Sequence, residues 1–548
     1  MRRVAVALVA GVAVIVASAG GVSGADSARV DASVQVTGDV NPFRAYASPV
    51  VAVHPRDERT VVVAHGEARS SGCGLHFSTN GGLSWTEGAS PLPKDVAACV
   101  RNTNGPIADL AFAPDGTLYY AFAGYPRADD FHSRIYVARS TDLGLTFLTT
   151  AVPGLEPPYP EDMFGTPALP TIAVDPTNSK RLYVAFQANY GLFSLAGSVF
   201  PPGKFSSSYP LRAYVARSDD GGATFGQPVA VSNDPKDHAT RAYLVVGKEG
   251  DVHVFAGEVN TPVPFGSGNP PAAPRIFHST STDGGRTFTQ KVIHTSAPGN
   301  PGDEYAVLLA ISPAVDLESG DLYLAWEDTG RRPPAILFSR SSDRGKTWSE
   351  PLKVNDAEPG RQWDFDEMEP SLSVAPNGRI NLAWLDYRND YTFLPGPQAQ
   401  NAFQDVYLAS SEDGGRRWSA NMRVSDRSID RRLSDVWSTG VRTAVGLQAL
   451  NDGSYVAWDD TRNAIADSKA QDVYFTRVRL DPAFALTTAS SPGTGTKVAW
   501  GLAGAALALA LAGAVLLASQ AKLSNGQPGR RRPEPEEVAS RSHSRGAV

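Results

Sequence analysis

Cysteine is nearly missing from this 548-residue chain: Cys73 and Cys99 are the only two. No histidine pair stands beside them at metal-ligand spacing, so they are expected to pair with each other rather than to hold a metal. In an oxidising compartment that bond contributes about 3 kcal/mol through loop closure. Histidine is also scarce, and no His-Glu-x-x-His arrangement occurs, which excludes a zinc-helix protease. A Gly-x-Ser-x-Gly elbow is absent too, which excludes the common serine-hydrolase nucleophile. Gly345-Lys346-Thr347 has the end of a phosphate loop but lacks its first glycine. No Asn-x-Ser/Thr sequon is present, so nothing points to N-glycosylation. His54, His65 and His253 are scattered among strand-like segments and read as packing or surface residues. Sustained helical periodicity is missing everywhere except at the two ends, which leaves an all-β middle.

What fills that middle is a repeat. Six segments share the pattern Ser-x-Asp-x-Gly-x-Thr-aromatic: Ser78–Trp85, Ser140–Phe147, Ser218–Phe225, Ser281–Phe288, Ser341–Trp348 and Ser411–Trp418. Asn80 replaces the Asp in the first, and Arg417 replaces the Thr in the last. An Asp or Asn beside glycines bonds its own backbone and tolerates a left-handed residue, so each copy reads as a tight turn. Asn80, Asp142, Asp220, Asp283, Asp343 and Asp413 are therefore structural. Recurrence every 60 to 80 residues or so is the mark of a repeat architecture.

Around each turn the strands recur as well. An alternating apolar strand precedes the box, as in Ile135–Arg139 and Ile336–Arg340. Further upstream a second strand keeps one shape: Leu118–Phe122, Leu182–Phe186, Leu322–Trp326, Ile380–Trp384 and Ser454–Trp458. Another strand follows the box, as in Leu352–Val354. Four antiparallel strands per unit make a β-propeller blade. The inner hairpins begin near residues 50, 109, 171, 241, 309, 371 and 445, so seven blades are preferred and six is the alternative. The seventh unit has its third strand at Val473–Val478 but no box and no fourth strand. Ser33–Thr37 has the shape of the missing strand and is expected to close the ring, because an open ring leaves unpaired edges.

The ends set the location. Arg2-Arg3, an apolar run and small residues mark 1–25 as a secretory signal. The propeller is expected over 33–480, and 481–496 forms a Ser/Thr/Gly/Pro-rich linker. Val498–Ser519 carries no charge over 22 residues, long enough for a transmembrane helix. The basic residues of the 520–548 tail then face the cytoplasm. This describes an extracellular ectodomain on the cell membrane, held by one C-terminal helix. Residues 26–496 carry 41 Lys and Arg against 54 Asp and Glu, a net charge of −13. That balance argues against nucleic acid as a partner.

The repeated boxes resemble the Asp-box of the sialidase superfamily over roughly residues 33–480. The resemblance implies a propeller whose boxes lie on the face opposite the site. It also implies an arginine trio for a substrate carboxylate, a Tyr nucleophile with a Glu, and an Asp acid/base near the first blade. Phe43-Arg44-Ala45-Tyr46 stands where the family has Arg-Ile-Pro, matching only the Arg. Glu67-Ala68-Arg69 resembles the family's Glu-x-Arg, but the Asp expected beyond it is missing from Ser70–Gly74. Arg241 and Arg388 are candidates for the other arginines, and Tyr305 beside Glu304 for the nucleophile pair. No cofactor or metal is implied. The acidic run Asp364–Glu369 reads as a solvated loop rather than a Ca²⁺ site.

On the channel face the loops are charged. Asp303, Asp366, Glu367, Asp386, Asp459 and Arg462 are candidate ligand-binding residues. For the repeated Trp-x-Asp-x-Arg shape, Trp384–Arg388 and Trp458–Arg462, a staple between blades is the preferred role and ligand binding the alternative. The expectation is a propeller that binds a glycan or a protein ligand outside the cell. An exo-α-sialidase-type glycoside hydrolase and a scaffold for a membrane complex are the alternatives. The apolar insertion Tyr190–Leu211 is a candidate lid or docking loop.

Overall fold

A computed structural model describes residues 28–38, 41–99, 108–125, 133–154, 166–189, 212–232, 239–258, 273–296, 310–328, 335–356, 367–390, 402–434 and 444–480. They form seven antiparallel sheets, which settles the count at seven blades. Blade 1 runs from Tyr46 to Glu87, blade 2 from Ala108 to Ala151 and blade 3 from Thr166 to Ala230. Blade 4 runs from Ala239 to Thr295, blade 5 from Ile311 to Lys353 and blade 6 from Glu367 to Arg423. Blade 7 takes Gly446–Leu450, Gly453–Asp460 and Asp472–Leu480 from the end of the propeller. Its remaining strands come from the N-terminal side.

Ring closure is therefore non-local. Val34–Gln35 pairs with Phe475 and Tyr474, as the Ser33–Thr37 pattern predicts. A second segment, Ala28–Val30, also pairs, opposite Leu480 to Val478. Sequence reading missed that one because three residues carry no usable period.

The second strand of each blade is why the propeller holds. Leu118–Gly124, Leu322–Asp328, Ile380–Asp386 and Gly453–Asp460 are buried along their whole length. Alternate residues face opposite neighbours. Tyr119, Ala121 and Ala123 pack towards blade 3, whereas Leu118, Tyr120 and Phe122 pack towards blade 1. An equivalent apolar cluster fills each of the seven interfaces. Burial of one such large side chain is worth about 1.5–3 kcal/mol, so the ring is stabilised mainly blade against blade.

The boxes tie down the outer turns. In four of them the Ser Oγ reaches the Asp, and a Thr donates its N–H and Oγ to the two carboxylate oxygens, as from Thr146 to Asp142 at 2.9 and 2.7 Å. The two departures preserve the pattern by other chemistry. Asn80 donates its amide to Ser84 Oγ at 2.8 Å, and Arg417 Nε replaces the missing hydroxyl on Asp413 at 2.8 Å. The boxes also bind the neighbouring blade. Arg217 of blade 3 donates to the Gly284 carbonyl in the box of blade 4 at 2.8 Å, and Arg139 and Arg340 repeat the contact one blade on.

Among the described residues no helix is long and apolar enough to cross a membrane. The signal 1–25, the linker 481–496, the span 498–519, the tail 520–548 and the insertion Tyr190–Leu211 lie outside the described residues.

Candidate functional site

The described ends of the first and second strands, at residues 41–45, 68–71, 387–390 and 461–471, carry charged residues at the mouth of the central channel. Three first strands enter it through a bulge in which a non-glycine residue precedes a proline with positive φ. These are Ser48-Pro49 at 56°, Leu169-Pro170 at 52° and Glu369-Pro370 at 53°. A bulge bends the strand, and a left-handed conformation at such residues is held only by surrounding structure.

At the seam of blades 1 and 7 the candidate arginines meet carboxylates. Arg44 places Nε and Nη2 on the two oxygens of Asp472, at 2.5 and 2.7 Å, and Nη1 on the Asn41 carbonyl. Asp472 is fully buried and also accepts from Thr37 and Asn463. Glu67 accepts the backbone N–H groups of Ala45, Arg69 and Ser70, so its carboxylate caps the turn after the second strand. Arg69 reaches across the seam to the Ser468 carbonyl at 2.8 Å. Asp459 is only 4% exposed and accepts from Gln471 Nε2 at 2.6 Å. Burial pushes its carboxyl up to about 7, and the adjacent Asp460 adds to the shift.

Blades 6 and 7 carry one module twice. Trp384 donates to Asp386 at 3.0 Å, as Trp458 does to Asp460. Arg388 binds Asp386 through Nε and Nη2 and crosses to Asp356 at the end of blade 5. Arg462 likewise binds Asp460 and crosses to Asp426 at the end of blade 6. Each guanidinium lies over a tyrosine ring, Tyr407 at 4.2 Å and Tyr474 at 3.9 Å. Hydrogen bonds to these carboxylates hold both arginines above their ordinary range, against the opposing pull of burial. Asn389 and Asn463 complete the module on Asp405 and Asp472. Asp386, Arg388 and Arg462 thus join adjacent blades, the staple arrangement weighed for this shape.

Deeper in the channel wall the picture differs. Arg241, on the first strand of blade 4, lies over Tyr243 at 4.7 Å, and its Nε is buried without a hydrogen-bond partner. Asp109, on the first strand of blade 2, accepts from Ile172 N at 2.9 Å. Burial lifts its carboxyl to about 6, while the charge of Arg241 works the other way. Sequence reading missed Asp109 as a site residue. The available signal was a carboxylate inside Ala108–Phe112, an inner strand with otherwise apolar residues.

Asp303, Glu304, Tyr305 and Asp366 lie outside the described residues, and Glu367 is described by its backbone alone. Among the described residues no group of His, Cys, Asp and Glu is placed to hold a metal. Cys73 and Cys99 are bonded, with Cα atoms 5.8 Å apart. His54 packs against Phe112, and His65 and His253 are buried, but the buried histidines also have partners. His65 and His76 meet at 3.0 Å in blade 1, and Asp251, His253 and His278 form a buried chain in blade 4 at 2.6 and 3.0 Å. Residues 11 and 25 apart met only through strand register, which no local spacing displays.

No protein-family profile matches the sequence, and no curated protein is similar to it. Among solved structures the chain is similar to a Hadza microbial sialidase at 15% identity and a TM-score of 0.43, covering 78% of this chain and 75% of that one. A protein of unknown function from Dyadobacter fermentans shows 14% identity and a TM-score of 0.42, covering 83% and 99%. An α-L-arabinofuranosidase from Fusarium graminearum, solved with an iminosugar inhibitor, shows 12% identity and a TM-score of 0.41, covering 65% and 93%. Likeness of this size assigns no activity, and the fold rests on the seven sheets themselves.

Proposed function

We propose that the chain is a membrane-anchored extracellular propeller of the sialidase type that binds a glycan or protein ligand at its channel mouth. The observation that carries this reading is the unequal state of the three candidate arginines. Arg44 and Arg388 are each neutralised by bidentate carboxylates, whereas Arg241 stacks on Tyr243 with its Nε unsatisfied. A single available guanidinium anchors one polar or anionic group by hydrogen bonds. Clamping a carboxylate from three sides would require breaking two buried pairs, which costs several kcal/mol for each. Binding is therefore favoured over hydrolysis.

A hydrolytic reading keeps one observation in its favour. Asp109 has its carboxyl raised to about 6, in the range of a general acid, on the same channel wall as Arg241.

The test is a glycan array probed with the full chain, run beside turnover of a fluorogenic α-sialoside. Binding without turnover, lost in Arg241→Ala, is the expected result. Turnover abolished by Asp109→Asn would replace binding with hydrolysis. Neither binding nor turnover would leave the channel mouth without a glycan role.

A further inference from the structure

Antiparallel strands place the boxes at the end of each blade opposite the channel mouth. There the sixth residue of every box is exposed, and its chemistry changes around the ring. It is Leu83 in blade 1, Leu145 in blade 2, Ala223 in blade 3, Arg286 in blade 4, Lys346 in blade 5 and Arg416 in blade 6. Leu83 is 75% exposed and Leu145 51%, and Leu148 beside the second box is 67% exposed. Single surface leucines are ordinary, but three at the turns of two adjoining blades form a patch. The turns adjoin because Ala89 N, just past the outer strand of blade 1, donates to the Gly144 carbonyl of the second box at 2.7 Å. On the basic side, Arg286 and Arg416 place Nη1 on the carbonyl of their own box aspartate, at 2.6 Å each, and not on a carboxylate.

The second box adds a strained apolar residue. Leu143 has φ at 62°, where boxes 1, 3, 4 and 6 have glycine. A left-handed leucine is costly and is retained only where something offsets it. Leu143 is half-buried and belongs to none of the buried apolar clusters of blades 1 to 3, so the core does not supply the offset.

The chain leaves the ring on this same face. Val478 pairs with Ser454 as the box serine Ser140 pairs with Leu118, so the third strand of blade 7 ends where the other six turn into their boxes. Leu480 N then donates to the Asp452 carbonyl, in the turn between the first two strands, at 2.8 Å. Residues 481–497 alone separate Leu480 from the uncharged run Val498–Ser519. A Gly/Ser-rich coil of that length spans roughly 20–25 Å, so the box face is the one nearest any bilayer that holds the run.

We propose that the box face docks on a bilayer containing anionic phospholipid. Leu83, Leu145 and Leu148 enter the boundary of the acyl chains, and Arg286, Lys346 and Arg416 meet headgroup phosphates. Apolar insertion combined with basic residues is what interfacial binding requires. The proposal rests on the membrane-anchored reading above and gives it an orientation, with the channel mouth turned away from the membrane. Tethering makes docking an intramolecular event, so a few side chains suffice. The net charge of −13 over residues 26–496 repels an anionic surface, so the basic arc selects which face approaches.

The test uses the full chain with vesicles of phosphatidylcholine and of an equal mixture with phosphatidylglycerol. Both native cysteines are bonded to each other, so Leu145→Cys takes a single nitrobenzoxadiazole label, and Ile465→Cys labels the exposed channel mouth as the control. Emission from position 145 should rise about twofold or more on the mixed vesicles and be quenched by nitroxide lipid, while position 465 stays in water. Reversing Arg286→Glu, Lys346→Glu and Arg416→Glu together should abolish the rise. A label at 145 that stays in water, a response equal at 145 and 465, or a response that survives the charge reversal overturns the proposal. A label at 145 shielded equally without vesicles overturns it too, and assigns the leucines to a second copy of the chain. Flotation in molar salt reads the anchor separately, because salt screens the basic arc and not the span. A chain that still floats while position 145 stays in water keeps the anchor and loses the docking face. A chain that is stripped by salt, yet shows the expected response at 145, keeps the docking face and loses the anchor. Failure to float with either vesicle at low salt overturns both.

Discussion

Arg44 and Asp472 form a two-point ion pair across the seam where the ring closes. Within blade 6 the same role falls to Arg423 and Asp405, which pair through Nε and Nη2 at 3.0 and 2.7 Å. The serine and threonine partners correspond as well. Ser425 donates to Asp405 at 3.1 Å, and Thr37 donates to Asp472 at 3.2 Å. Blade 6 draws its arginine from its own outer strand. Blade 7 has Gln35 at that position and draws the arginine from the segment leading into blade 1.

That equivalence makes Arg44→Ala a stability mutant. Removing one partner of a buried pair leaves an uncompensated charge, at a cost of about 3–5 kcal/mol. Arg44→Ala should lower the midpoint of thermal unfolding, and Arg44→Ala with Asp472→Asn should recover part of the loss. An unchanged midpoint in the single variant would show that the pair does not hold the seam.

Acid should weaken the protein through the histidine pair of blade 1. Burial lowers His65 to about 3 and His76 to about 4. The unfolded chain therefore binds protons that the folded chain refuses once the pH drops below about 6.5. Stability present above that value is lost as pH falls towards 4, by an amount on the order of 2 kcal/mol for each histidine, about 4 kcal/mol for the pair, at pH 5. Denaturation midpoints between pH 7 and 4.5 measure the slope, and His76→Gln should flatten it.

Asp459 has the opposite sign. Its folded carboxyl titrates near 7, well above the unfolded value of 3.8, so the fold favours its protonated form. That stability is complete below about pH 4 and is lost as pH rises through 7. Asp459→Asn should therefore raise the midpoint at pH 8 and change little at pH 4. A lower midpoint at pH 8 would mean that the ionised carboxylate is the form the fold requires.

The fold was legible because its signals are local. Ser-x-Asp-x-Gly turns and the shared second strand announce themselves within a few residues, and seven inner hairpins followed from them. The site was legible in type but not in pairing. Arg44, Arg388 and Arg462 stood out as charged residues near the channel, yet their partners Asp472, Asp356 and Asp426 come from neighbouring strands or blades. One sequence clue went unread. Gln404-Asp405-Val406-Tyr407 and Gln471-Asp472-Val473-Tyr474 are copies, and each delivers the buried acceptor of its blade. Asp109 and the histidine pairs had no such marker, since their environment arises only when strands align.

Arg344 separates strain from charge within one box. It occupies the position held by glycine in four other boxes, with φ at 62°. A left-handed non-glycine residue costs roughly 1–2 kcal/mol. In exchange its guanidinium meets Asp251 of blade 4 at 3.2 Å, and Asp251 in turn holds the buried His253. Because Arg344 is 51% exposed, that pair is worth at most about 1 kcal/mol. Arg344→Gly relieves the backbone and removes the charge, so the two effects nearly cancel and the midpoint should move little. Arg344→Ala keeps the strained Cβ and removes the charge, so it should be the less stable of the two by about 1 kcal/mol. Thermal unfolding of the two variants side by side decides it. Equal midpoints would mean that the left-handed turn carries no strain and that only the contact with Asp251 matters.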